Sequence, residues 1–424
     1  MREFLIKHAN NEKASFHMPG HKGAEFFVRM GYGVPSGPDA DSAEYLSLQN
    51  AGIYSIAGHD ITEIPGADDL RHPDGIIKAI TDRYAALYGS RKAFISVNGS
   101  SALIMASIMA CIRPGHKLLA AADSHISVKN GAELAGIETV YVEPQVIDPW
   151  GSGDRSQNTD KSVLAAPGSL AGRGEEGSLS IPGGLSAESI AEMLDCDPEI
   201  DAVILPSPNY FGIVSDIRSI AEEVHKRGKI LIVDQAHGAH LKMFADGSLP
   251  APAEECGADL VIVSTHKTMA SFTQTAVANI FGGCVDPADY EKKLLMLEST
   301  SPSYLLMESL ALNAEIMEKH GAELAESWRS DLDWFYENVK NIPKIRVITR
   351  ASIIGKSDFD DSKIVIDFSG AGLTGENAEE ILIENGIYPE FSTGSIVMLL
   401  TGIGNRRRDY EILIDALTEM VSRS

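Results

Sequence analysis

Five short apolar runs between Lys92 and Ser264 limit what this chain can fold into: KAFISV, KLLAA, DAVILPS, KILIVD and LVIVS. Each has strand length, and each of the first three is followed by a helix-like stretch, ALIMASIMACI, ISVKNGAELAG and IRSIAEEVHKRG in turn. Strands alternating with helices fold as a mostly parallel sheet covered on both faces. Upstream, GIIKAITDRYAALYG spaces Ile77, Ile80, Tyr84 and Leu87 on one helical face and stops at Gly89.

A chain of 424 residues is too long for one simple core. The pattern predicts an extended N-terminal arm over 1–60, rich in Gly, Pro and His, then a large α/β domain over 61–304. A smaller α+β domain is expected over 305–424. Residues 151–186 are dense in Gly, Ser and charge and read as a flexible insertion, a surface loop rather than an active-site lid.

Composition narrows the function classes. The net charge of −24 argues against nucleic acid and anionic membrane as partners and suits a small cationic substrate. Cys111, Cys196, Cys256 and Cys284 are scattered without metal-ligand spacing. They read as reduced thiols of a cytoplasmic protein. MREFLIKHANNEK lacks the apolar core of a signal peptide, and no apolar run reaches membrane-spanning length.

The chemistry gathers at the ends of the strands, where open α/β sheets bind ligands. KILIVD ends in the carboxylate of Asp234, and LVIVS leads through Thr265 and His266 to Lys267. A strand-end acid and a strand-end lysine form the skeleton of a pyridoxal-phosphate (PLP) site. The lysine bonds the cofactor and the acid keeps the pyridine nitrogen protonated. Asn98-Gly99-Ser100-Ser101 lies between a strand and a helix, so Gly99, Ser100 and Ser101 offer free N–H groups and hydroxyls to a phosphate. The same residues also suit an ordinary helix cap. His125 lies past another strand end, where an imidazole stacks on a pyridine ring or is simply a polar turn residue. Ala236 is small enough to lie under the ring, and His237 is placed to reach a ring hydroxyl. Asp234, His237 and His240 also invite a metal reading, which lacks a third and fourth nearby ligand, so no metal is expected.

Six ordered motifs then carry a resemblance. HMPGHKG (17–23), DITEIPGADDLRHPDGII (60–77), NGSS, VDQAHGAH, STHKTMASFTQ and STSPSY (299–304) resemble the bacterial ornithine/lysine/arginine decarboxylases. The resemblance implies fold type I of the PLP enzymes: α/β, with a mostly parallel sheet of seven-stranded type and a smaller C-terminal α+β domain. It implies that Lys267 carries PLP and that Ser264 and His266 contact the phosphate opposite Gly99, Ser100 and Ser101. Asp234 would pair with the pyridinium, Ala236 with one ring face and His125 with the other. STSPSY implies a homodimer with the active site at its interface. The implied reaction is α-decarboxylation of arginine, lysine or ornithine, giving a polyamine-type amine. Gln235 stands where the family has glutamate, and Glu298 where glutamine precedes STSPSY. The form is a short one, expected to lack the receiver-like domain and the C-terminal Pro-Pro-Gly extension of larger members.

A substrate cation needs an acidic partner, for which Glu63, Asp68, Asp69 and Glu298 are candidates. Two other readings stand beside the decarboxylase. One is an aminotransferase or carbon–carbon lyase on the same fold, with Arg350 or Arg406–Arg408 gripping a carboxylate. The other is a regulator that has lost activity, against which an intact Lys267, Asp234 and phosphate loop speak.

Overall fold

The computed structural model describes residues 67–150, 172–173, 179–353, 355 and 357–423. The expected arm over 1–60, the 17–23 motif, Glu63 and most of the expected insertion, 151–171 and 174–178, lie outside the described residues.

Seven strands form the central sheet: β1 (Lys92–Ser96), β2 (Lys117–Ala121), β3 (Glu138–Val142), β4 (Ile200–Pro206), β5 (Ile230–Asp234), β6 (Leu260–Val263) and β7 (Ala276–Ile280). Their order is β1-β7-β6-β5-β4-β2-β3. Strand β7 runs antiparallel to both its neighbours, and all other pairings are parallel. Alternate residues feed two cores. Ile95, Leu119, Val203, Leu205, Val233, Val261 and Val263 enter one. Phe94, Leu118, Ile204, Ile232, Leu260 and Ile262 enter the other. Burial on both faces is why these strands read as continuous apolar runs. Each fully buried Ile or Leu contributes roughly 1.5–3 kcal/mol relative to an exposed one.

The expected insertion includes residues that belong to the folded body. Leu179–Pro182 pairs antiparallel with Val146–Ile147, and Ile181 is buried. Gly183 follows in a space without room for a side chain, since a Cβ there would lie 2.8 Å from Ile147 Cγ1.

Beyond the 36-residue helix Tyr304–Val339 lies a four-stranded antiparallel sheet. Its strands are β8 (Arg346–Val347), β9 (Lys363–Asp367), β10 (Phe391–Thr393) and β11 (Ile396–Leu400), in the order β8-β9-β11-β10. The long helix braces the loop after β6, because Asn313 Oδ1 accepts from the Ala270 N–H at 2.9 Å. A two-stranded ladder, Ile213–Val214 with Asp358–Phe359, joins the central body to the C-terminal sheet. No helix among the described residues is long and apolar enough to cross a membrane.

Candidate active site

The carboxyl ends of β1, β2, β5 and β6 point to one edge of the sheet, because β1 and β6 each pair antiparallel with β7. Asp234 is the last residue of β5 and the register partner of Ile262 on β6. Ser264 caps the short helix Thr265–Thr268, which holds His266 and Lys267 just beyond that edge. At the same edge, Ser96 of β1 pairs with Ala276 of β7. The Gly99 N–H donates to the Gln274 carbonyl at 2.8 Å. His266 Nδ1 bonds the next carbonyl, that of Thr275, at 2.9 Å. Consecutive carbonyls thus tie the glycine loop and the lysine loop together.

Lys267 Nζ lies 2.8 Å from His237 Nε2. Burial pushes the Lys267 ammonium down to about 8, against the opposing pull of Asp234 and Glu390, and Lys363 adds to the lowering. Burial, Lys267 and Lys363 hold His237 well below the usual histidine range, so its ring is neutral and Nε2 accepts from the amine. The tautomer then leaves a proton on Nδ1, which is buried without a partner among the described residues. Asp234 is buried, which pushes its carboxyl up, while Lys267, the Ala236 N–H and His125 pull it back. Its Oδ1 accepts from the Ala236 N–H at 3.1 Å. Ala236 is itself buried.

His125 is at once close to Asp234 and Lys267 in electrostatic reach and the N-cap of the helix Ile126–Ala135. Its Nδ1 accepts from the Ser127 N–H at 3.2 Å. That bond fixes the ring and leaves Nε2 to carry the proton, a role in local structure that the sequence reading did not foresee.

The structure holds a cradle that fits a phosphate. Gly99 has φ +78 and a Cβ there would meet nothing within 4 Å, so the approach to its backbone is open. Gly99, Ser100 and Ser101 begin the helix Gly99–Cys111. The Gly99 N–H, expected from the sequence to be free, is given to the Gln274 carbonyl, so the N–H groups a helix start leaves without intrahelical acceptors come here from Ser100 and Ser101. Across from them, the Ser264 hydroxyl is fully buried and has no hydrogen-bond partner among the described residues. A buried hydroxyl without a partner costs about 1–3 kcal/mol, which a phosphate oxygen would recover. His266 is pushed down to about 4 by burial, outweighing its Thr275 bond. With Nδ1–H on that carbonyl, Nε2 is a lone pair, so an anion bound there has to bring a proton with it. The donors at Ser100, Ser101 and Ser264, beside Lys267 and Asp234, are chemically suited to PLP.

Several acids proposed from sequence are engaged in local structure. Asp68 accepts from the N–H groups of Asp69, Asp74, Gly75, Ile77 and Lys78, which outweigh its slight burial and hold it at about 2. Asp69 caps the Arg71 N–H at 2.8 Å. Glu298 is buried and pushed up to about 7, with Ser96 and Arg71 opposing. Arg350 pairs with Asp358 and with the Gly247 carbonyl. Gln235 clamps a neighbouring turn, since its amide donates to Glu254 at 2.9 Å and accepts from the Ala253 N–H at 2.8 Å. A glutamate there would set two carboxylates together. His240 leaves the Asp234 group for Thr268 and Asp360.

Residues the sequence reading missed complete the surroundings. The Tyr210 ring lies 4.9 Å from that of His237. From the C-terminal sheet, Lys363 donates to the His237 carbonyl at 2.9 Å, and Glu390 acts electrostatically on Lys267, Lys363 and Tyr210. Nothing near Lys363 or Glu390 in sequence marks either residue.

The sequence profile of the family "Orn/Lys/Arg decarboxylase, major domain" matches residues 1–153 and 173–360. An arginine decarboxylase from Halalkalibacterium halodurans is 28% identical over 419 residues, covering 98% of this chain and 76% of that protein. The crystal structure of a Francisella novicida lysine decarboxylase superposes with a TM-score of 0.69 at 18% identity, over 98% of this chain. The chain spans 59% of that structure's length. An L-threonine transaldolase from Pseudomonas fluorescens shares the fold, with a TM-score of 0.62 at 15% identity, covering 100% of this chain and 86% of its own. The chain belongs to the Orn/Lys/Arg decarboxylase family, PLP-dependent carboxy-lyases, and has their fold-type-I architecture.

Proposed function

We propose that this protein removes the α-carboxylate of a basic amino acid, arginine first, as CO2. The observation that carries the reading is the Lys267 amine, lowered to about 8 and bonded to neutral His237 beside the buried Asp234. The arginine decarboxylase relative, which covers 98% of the chain, supports arginine as the substrate to try first. When bound, PLP supplies an aldehyde that captures the amino group and a protonated ring that accepts an electron pair from Cα.

This chain's residues do the rest. Ser100, Ser101 and Ser264 would hold the phosphate, Gly99 leaving it room and His266 accepting a proton from it, while His125 and Ala236 would flank the ring. Asp234 would hold a proton at the ring nitrogen. It does so as a carboxylate, and the charge of Lys267, the Ala236 N–H and His125 favour that form against the burial that raises its proton affinity. Lys267, neutral in a sizeable fraction near pH 8, is the nucleophile and afterwards a proton donor toward Cα. His237 holds the proton on Nζ through its Nε2. Glu390 would meet the substrate's side-chain cation, a role supported by its electrostatic effect on Lys267.

The active unit in this reading is a homodimer. The exposure of Ser299, Thr300 and Ser301, with Met296 66% exposed beside them, supports a covered face there. Sedimentation of the purified protein tests it, with a monomer at working concentration as the contrary result.

The decisive assay mixes the protein and PLP with arginine, lysine or ornithine and measures CO2 and amine product. Amine from at least one substrate, abolished in Lys267→Ala together with the visible absorbance of the loaded protein, is the expected result. Amino transfer to a keto acid without CO2 release would replace this reading with the aminotransferase one.

A further inference from the structure

A closed hydrogen-bonded circuit begins and ends at two adjacent residues, Lys267 and Thr268. From Lys267 Nζ it passes to His237 Nε2 at 2.8 Å. The carbonyl of His237 accepts from Lys363 Nζ at 2.9 Å, and the same ammonium lies 3.5 Å from Asp360 Oδ2. Asp360 Oδ1 lies 3.3 Å from His240 Nε2, and His240 Nδ1 lies 3.1 Å from Thr268 Oγ1. Ser362 supports the Asp360 corner, its N–H donating to Oδ1 at 3.1 Å and its hydroxyl lying 3.1 Å from His240 Nε2. Thr268, His240, Asp360, Ser362 and Lys363 are all fully buried.

Burying a lysine and an aspartate is costly, and an apolar pair of similar volume often holds a structure as well or better. Cohesion between the sheets therefore does not account for a charge in this position. The charge is also directed. It bonds the backbone of His237, whose ring touches Lys267.

We propose that Lys363, held by Asp360, is a positioning residue that fixes His237 against Lys267 and adds a positive charge to the field at the Lys267 amine. The inference rests on Lys267 being the PLP lysine. Two links connect the C-terminal sheet to the lysine loop, one through each side of the circuit, so that sheet must be docked for His237 and Thr268 to be held together. The groups facing the Lys267 amine are Asp234, His237, His125, His266, Glu390 and Lys363. Asp234 and Glu390 favour its charged form, whereas Lys363 opposes it from the C-terminal sheet. Burial pushes Asp360 up, but His240, Lys363 and the hydrogen bonds it accepts hold it well below the usual carboxylate range. The acid therefore stays ionised and keeps Lys363 in place.

The test is acylation of Lys267 by acetic anhydride in the full chain stripped of PLP, read by peptide mass spectrometry across pH. Labelling of the natural protein should rise with a midpoint near 8. Lys363→Met should move the midpoint upward by half to one unit, cutting labelling at pH 8 about two- to fivefold. Lys363→Arg keeps the charge and should leave the midpoint in place. If Lys363→Met does not fold, the Asp360→Asn/Lys363→Met double variant removes both charges and should shift the midpoint upward by less, since the lost carboxylate offsets part of the lost ammonium. An unchanged midpoint in whichever of these folds, with only stability reduced, overturns the proposal. Protection of Lys267 by added PLP tests the underlying reading separately. Its absence would remove Lys267 as the PLP lysine without altering the midpoint comparison.

Discussion

Lys267 Nζ and His237 Nε2 lie 2.8 Å apart, so the lysine beyond one strand is held by the imidazole beyond the next. The bond has a direction while the amine is charged, because an ammonium only donates and the neutral His237 ring then accepts at Nε2. A neutral acceptor lets the amine keep or lose its proton without creating a second buried charge.

The consequence is a pH profile. PLP uptake requires the unprotonated amine, so its rate should rise with pH through about 8 and level off above that point. Stopped-flow absorbance on the PLP-stripped chain measures it. His237→Ala should keep the rise but lose about a hundredfold or more in turnover, the scale of a positioned proton-handling group. A flat uptake profile between pH 7 and 9 would contradict the burial argument.

Two glycines at the site serve different physical needs and should fail differently. Gly99 has φ +78 with open space around it, so Gly99→Ala strains only the backbone, by about 1–2 kcal/mol. Gly238 has no positive φ, but a Cβ there would lie 2.6 Å from Pro208 Cδ and 2.9 Å from Gln235 Cγ. Gly238→Ala should cost about 1–3 kcal/mol by overpacking, and should displace the adjacent His237. Urea unfolding gives the stabilities and PLP titration the site effect. Gly99→Ala is expected to weaken PLP binding at little cost in stability relative to Gly238→Ala, and equal PLP affinities in both variants would refute the distinction.

The strand positions were legible because both faces of the sheet are buried, which leaves uninterrupted runs such as Leu260–Val263 and Ile230–Asp234. Strand β7 escaped notice. Its AVANI run mixes alanine and asparagine, residues poor in strand preference, and only pairing with β1 and β6 makes it a strand. Strand β3 was missed for the opposite reason, as a half-exposed edge with one buried residue. The strand-end residues could be read because their chemistry sits at the end of each run. Lys363 and Glu390 could not, since they reach the site through the packing of a second sheet, and sequence distance carries no sign of it. His125 was legible as a strand-end residue but not as a cap, which depends on a helix beginning one position later.

Gln235 explains its own departure from the family pattern. Its amide donor meets Glu254, whose carboxyl is pushed up to about 7, chiefly by burial. A group whose proton affinity is raised on folding contributes stability at low pH that is lost as pH rises through its folded value. Gln235→Glu places a second carboxylate against Glu254 and should steepen that loss. The variant should be destabilised by about 1–3 kcal/mol at pH 8 and by less at pH 6, where Glu254 carries a proton to donate. Urea midpoints at the two pH values check the sign, and equal destabilisation at both would show that the two acids do not interact.

Glu390, whose charge acts on Lys267, is the acid we propose for a substrate cation. Its N–H is bonded to the Met398 carbonyl at 2.9 Å, which fixes it at the head of strand β10. The next residue, Phe391, sets its ring edge-on against Phe211 at 5.5 Å, beside the Tyr210 that packs on His237. Asp68 and Asp69 spend their carboxylates on backbone N–H groups in the loop before the helix Ile76–Tyr88 and in its first turn, whereas the carboxylates that act on Lys267 are those of Asp234 and Glu390. A charge-assisted hydrogen bond contributes about 1.5–3 kcal/mol. Glu390→Gln should therefore raise KM for the preferred basic amino acid roughly ten- to a hundredfold while kcat changes little. Removing its charge should also move the Lys267 midpoint down, because Glu390 now favours the ammonium form. A neutral amino acid of the same length should show no such KM change. Steady-state kinetics on both substrates decide the matter: an unchanged KM for the cationic one would assign the recognition to another carboxylate and leave Glu390 as part of the field around Lys267 alone.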